Sequence, residues 1–270
     1  NMQIGISTAS LFMRQYNEEA VQTIQNLGVK TCEIFLETFS EYTRAYGEIL
    51  NEKKGDLAVN SVHLYTTHIE PQLFSENERT LKDAYCFLDR AMQAAQAFGA
   101  KYYTFHGTAR YKKASRSGAN DNFEKIGNAL EKVRVLCEKY GVSLSLETVE
   151  WATYNRPGVF TEVRKYCPKL YTTLDIKQVR LSERPESEYL KEMAGHISHV
   201  HVSDVTKSGK TCLPGKGAYD FESLIKRLAD TGFGGALIIE AYKNDYDKIE
   251  EMKTSAEYLQ EILYKFNLNK

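Results

Sequence analysis

"GISTASLFMRQY", residues 5–16, follows the first β-branched run of the chain and decides between two folds. An open, doubly wound α/β sheet normally carries a glycine-rich phosphate loop here, between its first strand and first helix. Gly5 sits within the strand pattern, and the turn that follows contains no glycine. A closed barrel of parallel strands needs no such loop.

The remainder of the chain repeats one unit. Short β-branched or aromatic runs recur as "QIGIST" (3–8), "TCEIFLE" (31–37), "LAVNSVHLY" (57–65), "KYYTFH" (101–106), "VSLSLE" (142–147), "LYTTLD" (170–175), "ISHVHVSD" (197–204) and "GALIIE" (235–240). Longer amphipathic segments separate them. In "NERTLKDAYCFLDRAMQAAQAF" (77–98), Leu81, Tyr85, Leu88 and Met92 fall on one face at helical spacing, with Asn77 and Thr80 at the start. Gly28, Gly55, Gly99, Gly141, Gly195 and Gly232 close helical patterns shortly before the next strand, and Pro168 serves at another junction. Strand and helix alternate eight times without a linker or composition shift, which predicts a (β/α)8 TIM barrel, α/β in class. It forms a single domain over residues 2–270, with Asn1 ahead of Met2 set aside.

Bulk properties narrow the function. The chain has 270 residues and a net charge of −1, from 35 basic and 36 acidic side chains. That balance favours neither nucleic acid nor an anionic membrane as partner. Five separated cysteines without a CxxC pair read as reduced thiols. No apolar run reaches about 18 residues and the start does not read as a secretory signal, so the expected compartment is the cytoplasm.

In a barrel of this kind the active site forms at the carboxyl ends of the strands. His63, His106, Glu147, Asp175, His201 and Glu240 all fall at or near such ends. Each alone has an ordinary explanation: a hydrogen-bonded rim histidine, a glutamate paired with lysine, an aspartate capping a turn. Together, three carboxylates at one rim repel one another unless a cation lies among them. One divalent metal ion is therefore expected, held by Glu147, Asp175, His201 and Glu240, a donor set that suits Mn²⁺, Mg²⁺, Co²⁺ or Zn²⁺. His199 shares the face of His201 one layer deeper and is expected to support it. Glu33 lies in a run whose parity does not say which way it points.

These residues resemble the xylose isomerase-like barrel superfamily, in particular its sugar phosphate isomerase/epimerase group. The carriers are "SLETVEWATYNRPGVF", "LDIKQ", "HVHVSD", "LPGKGAYDF" and "LIIEAY", in register over nearly the whole chain. In ketose 3-epimerases of this superfamily, the positions of Glu147, Asp175, His201 and Glu240 bind one metal, and the two glutamates shuttle the proton. The resemblance implies a metal-dependent isomerase or epimerase acting through a metal-stabilised enediolate. Its catalytic residues would be Glu147 and Glu240, and its substrate a small sugar or sugar phosphate. Glutamates on opposite faces of that planar intermediate can take a proton on one side and return one on the other. An inosose dehydratase-type lyase would use the same enolate. Barrels of this type commonly pair through their outer helices, which points to a homodimer or tetramer.

The sequence departs from the pattern at Gln178, where many relatives carry a histidine. Glutamine can hydrogen-bond a sugar hydroxyl but is a poor metal ligand. That departure motivates a second reading, a barrel that binds sugar without turning it over. An apurinic-site endonuclease shares the barrel and uses positions like His63 and His106 for further zinc ions. It also needs an Asp-x-His where this chain has Pro214 and Lys216. His63, His106 and Gln178 are accordingly expected to contact substrate, with Trp151 as a stacking surface and Lys216 as a grip. The loop 109–121, with Arg110, Lys112, Lys113 and Arg116, reads as a solvated segment or as a lid for an acidic group.

Overall fold

The computed structural model describes residues 1–112, 116–118 and 120–269. Strands β1 (Gln3–Ser7), β2 (Thr31–Leu36), β3 (Ala58–Leu64), β4 (Tyr102–Phe105), β5 (Ser143–Glu147), β6 (Tyr171–Asp175) and β7 (Ile197–Val202) follow one another along the chain. A two-stranded antiparallel ribbon, β8 (Asp204–Val205) and β9 (Thr211–Cys212), comes next, then β10 (Ala236–Ile239). All but the ribbon pair in parallel and close into a ring in the order β1-β10-β7-β6-β5-β4-β3-β2. The barrel is the one the strand repeat predicts.

Helices cover the outside. Between Glu78 and Ala97 runs the longest, and the Asn77 side chain accepts from the backbone N–H of Arg79 and Thr80 at 3.1 Å each. Its buried face is wider than the predicted stripe. Leu88 and Met92 are buried with Ala84, Ala91, Ala94 and Ala95, whereas Leu81 and Tyr85 are half-buried. The alanines let the helix Arg44–Lys53 approach closely, and a Cβ added to Gly47 would meet the Ala94 carbonyl oxygen at 2.5 Å. At Gly141 the helix Phe123–Lys139 gives way to β5 through φ 74°, a turn that only glycine makes without strain. Among the described residues, no helix is long and apolar enough to cross a membrane.

Side chains facing outward from the strands are apolar and pack beneath the helices, among them Ile34, Val62, Leu146, Leu174, Val200 and Leu237. The inside differs. Thr104 on β4 meets His199 on β7 at 2.8 Å, although these strands are not neighbours, so both side chains point into the barrel. Glu33, Ser61, Ser145, Thr173 and Ser198 join them in a buried polar layer. Because side chains alternate along a strand, the next inward layer falls two residues later. Moving up from Ser61, Thr104, Ser145, Thr173 and His199 gives His63, His106, Glu147, Asp175 and His201.

Candidate metal centre and active site

Register brings the four predicted ligands together. Asp175 and Ile238 are both Cα partners of His201, so Glu240, two residues past Ile238, and Asp175 flank that histidine. His201 Nδ1 lies 3.0 Å from Glu147 Oε1, 3.3 Å from Glu240 Oε2 and 3.6 Å from Asp175 Oδ2. One ligand-type atom from each of the four lies within 4.8 Å of all the others, and all four residues are buried. The other imidazole nitrogen, Nε2, is 2.9 Å from Glu33 Oε1. Glu33 Oε2 in turn accepts from the hydroxyls of Ser61 (2.7 Å) and Thr104 (2.6 Å). Asp175 also fills its ordinary role, since its Oδ1 accepts from the Gln178 N–H at 2.9 Å at the start of the next helix.

The electrostatics are those of a charge set short of one cation. Burial alone would push His201 down, but Glu240, Glu33 and Glu147 hold it well above the usual histidine range. Glu147 is desolvated, yet His106 and His201 hold it well below the usual carboxylate range. Glu33 behaves likewise through His201 and His199. Glu240 goes the other way: burial and the carboxylates of Glu147, Asp175 and Glu33 raise it to about 7 against the pull of His201. Glu240 Oε2 is buried without a hydrogen-bond partner. Three carboxylates, one imidazole and an orphaned oxygen at the centre fit a hard or borderline divalent cation.

His106 Nε2 lies 2.6 Å from Glu147 Oε2 and 3.0 Å from His63 Nε2. Burial would lower both histidines. Glu147 raises His106 to about 9, whereas His63, facing the charged His106, falls to about 4. Thr66 Oγ1 meets His106 Nδ1 at 2.5 Å, and Glu70 accepts from the backbone N–H of His106 (2.6 Å) and Gly107 (3.0 Å). Glu70 is fully buried and also receives the Tyr103 hydroxyl at 2.9 Å, a fixture that sequence patterning did not reveal. His63, His106 and Glu147 form a second group of converging ligand-type atoms. A cavity of about 410 Å³ opens above, with His63, His106, Trp151 and Tyr242 in its wall. The Trp151 ring meets His106 edge-on at 5.5 Å.

Other candidates lie elsewhere. Gln178 is absent from the cavity wall, and its Oε1 accepts from the Glu150 N–H at 3.1 Å, tying the helix after β6 to the loop after β5. Lys216 is exposed and does not line the cavity either. Arg110 Nη2 donates to both carboxylate oxygens of Asp121 at 2.8 Å, and Lys113 lies outside the described residues. The aspartate that ends "HVHVSD" is no ligand. Asp204 accepts from the backbone N–H of Val205, Gly215, Gly217 and Tyr219 at 2.7 to 3.0 Å, folding the "LPGKG" loop around itself.

Comparison with known proteins bears on the fold and the family. An uncharacterized protein of Methanocaldococcus jannaschii is 25% identical over 281 residues, covering 97% of this chain and all of that one. The L-ribulose-5-phosphate 3-epimerase UlaE of Escherichia coli is 24% identical over 181 residues, 66% of this chain and 62% of the enzyme. Among solved structures, the IOLI protein with a bound zinc atom superposes with a TM-score of 0.78 at 17% identity, over 98% of this chain and 99% of that one, a likeness of fold. The family model described as xylose isomerase-like TIM barrel matches residues 21–262. The chain belongs to the xylose isomerase-like TIM barrel family, whose relatives include sugar epimerases.

Proposed function

We propose that the protein is a divalent-metal-dependent isomerase or epimerase that moves a proton on the carbon beside a ketose carbonyl. One observation carries the reading: Glu147, Asp175, His201 and Glu240 converge within 4.8 Å at the carboxyl end of the barrel. When bound, the ion supplies a Lewis acid that lowers the cost of negative charge on the substrate oxygens. Asp175 and His201 hold the site, with His201 oriented from below by Glu33. Glu147 and Glu240 accept and return the proton. Their strands lie on either side of β7 in the ring, so the two carboxylates approach a bound substrate from different arcs. His63 and His106 face the cavity and meet substrate hydroxyls, with His106 held in place by Thr66 and Glu70.

The reading is tested by metal content per chain together with deuterium uptake from heavy water into a panel of ketoses. One metal per chain and exchange at the carbon beside the carbonyl are expected. Loss of water from the product would place the enzyme among lyases instead. Sugar binding without any exchange would leave a non-catalytic barrel.

A further inference from the structure

We infer that the site takes an unphosphorylated, uncharged ketose, an inference that rests on the carbohydrate reading above. The cavity over the acidic cluster is lined by Ala9, Leu64, Thr66 and Thr67, by His63 and His106, and by six aromatic rings. Those rings are Phe12, Phe35, Tyr65, Tyr111, Trp151 and Tyr242. None of the described residues in this wall is a lysine or arginine.

A phosphate dianion entering such a wall would meet one cationic candidate, His106, whose Nε2 already lies 2.6 Å from Glu147 Oε2, and desolvated charge is costly unless paired. Among the described residues, three basic side chains that follow strand ends have partners within the protein. Arg110 binds Asp121 at 2.8 Å and the Ala152 carbonyl at 2.9 Å. Arg14 donates to the carbonyls of Lys243 and Asp247 at 2.6 Å and of Tyr246 at 2.7 Å, with its guanidinium 3.9 Å from the centre of the Tyr246 ring. The Lys177 ammonium sits 4.2 Å from the centre of the Tyr242 ring.

What remains suits a neutral sugar. The wall offers His63, His106, Thr66 and Thr67 to its hydroxyls, and aromatic rings among them to its C–H faces. The relative named as acting on a sugar phosphate is matched over only 62% of its length, which leaves room for a different choice of substrate.

Trp151 makes the test direct, because it is the chain's one tryptophan and lines the cavity. Its fluorescence is titrated with free ketoses and with their terminal phosphate esters, at low and high salt, with Trp151→Phe as the blank. Free ketoses are expected to give a saturable change that salt does not alter, at least tenfold tighter than the matching phosphates. The exposed residue Tyr111 supplies a variant that leaves the fold intact: Tyr111→Ser is expected to weaken free-ketose binding about threefold to tenfold. Phosphates that bind as tightly or tighter, with affinity falling as salt rises, would overturn the inference and leave the isomerase reading standing. No response to either class would remove the carbohydrate reading and this inference with it.

Discussion

His201 presents one ring nitrogen to three carboxylates and lies 2.9 Å from Glu33 Oε1 through the other. A carboxylate beside Nε2 favours the tautomer with its proton there, which leaves Nδ1 to an ion once the ring gives up its second proton. Partners of metal-bound histidines typically change metal affinity tenfold to a hundredfold when removed. Glu33→Gln is expected to weaken metal binding by about that factor, measured by competition with a chromophoric chelator. Unchanged affinity would show that the pairing does not orient the ligand.

The two proposed proton carriers separate from the other ligands by what they leave behind. Glu147→Gln and Glu240→Gln should each slow deuterium uptake by at least about a hundredfold, the usual scale of a lost general acid or base. Substrate binding, followed at Trp151, should survive in at least one of them. Wild-type exchange rates in both variants would end the assignment.

Metal binding should tighten as pH rises. Glu240 and Glu70 both titrate at about 7, above an ordinary 4.5, raised chiefly by burial. Groups raised on folding stabilise the metal-free protein fully below 4.5 and lose that contribution as pH passes 7. An ion at the cluster displaces the Glu240 proton and the Nδ1 proton of His201. The thermal stabilisation conferred by added metal is therefore expected to grow between about pH 6 and 8, a unit below and above the Glu240 midpoint. Calorimetry in buffers of different ionisation enthalpy should register proton release, and its absence at pH 6.5 would contradict the assigned protonation.

Asp204 tests the loop rather than the chemistry. Asp204→Ala removes an acceptor shared by four backbone N–H groups and should cost about 3 kcal/mol in urea unfolding. Metal affinity should remain within about threefold of wild type, since Asp204 is not in the ligand cluster. A large loss of metal with unchanged stability would assign Asp204 to the site.

Much of this architecture can be read from the sequence. Each expected strand occurs, and Gly28, Gly55, Gly99, Gly141, Gly195 and Gly232 all adopt positive φ. The four ligand-type residues lie together because each stands at a strand end, where the barrel geometry leaves one destination. Glu33 is the instructive exception. All six residues of β2 are buried and its register with β3 shifts between Cys32 and Glu33, so the alternation that reveals a facing direction is missing. Gln178 sits within the helix Ile176–Leu181 that follows β6, and Lys216 lies beyond the β8–β9 ribbon, so neither is held at a strand end and neither lines the cavity wall. Asp204 lies two residues past β7, where neither spacing nor residue type tells a ligand from a loop anchor.

The protons that His106 and His201 carry have a consequence for the life of the chain. They offset part of the carboxylate charge before any ion arrives. On the metal-dependent reading proposed above, such a barrel is expected to fold empty and be loaded afterwards, and which ion it would carry is set by cellular supply more than by the fold itself.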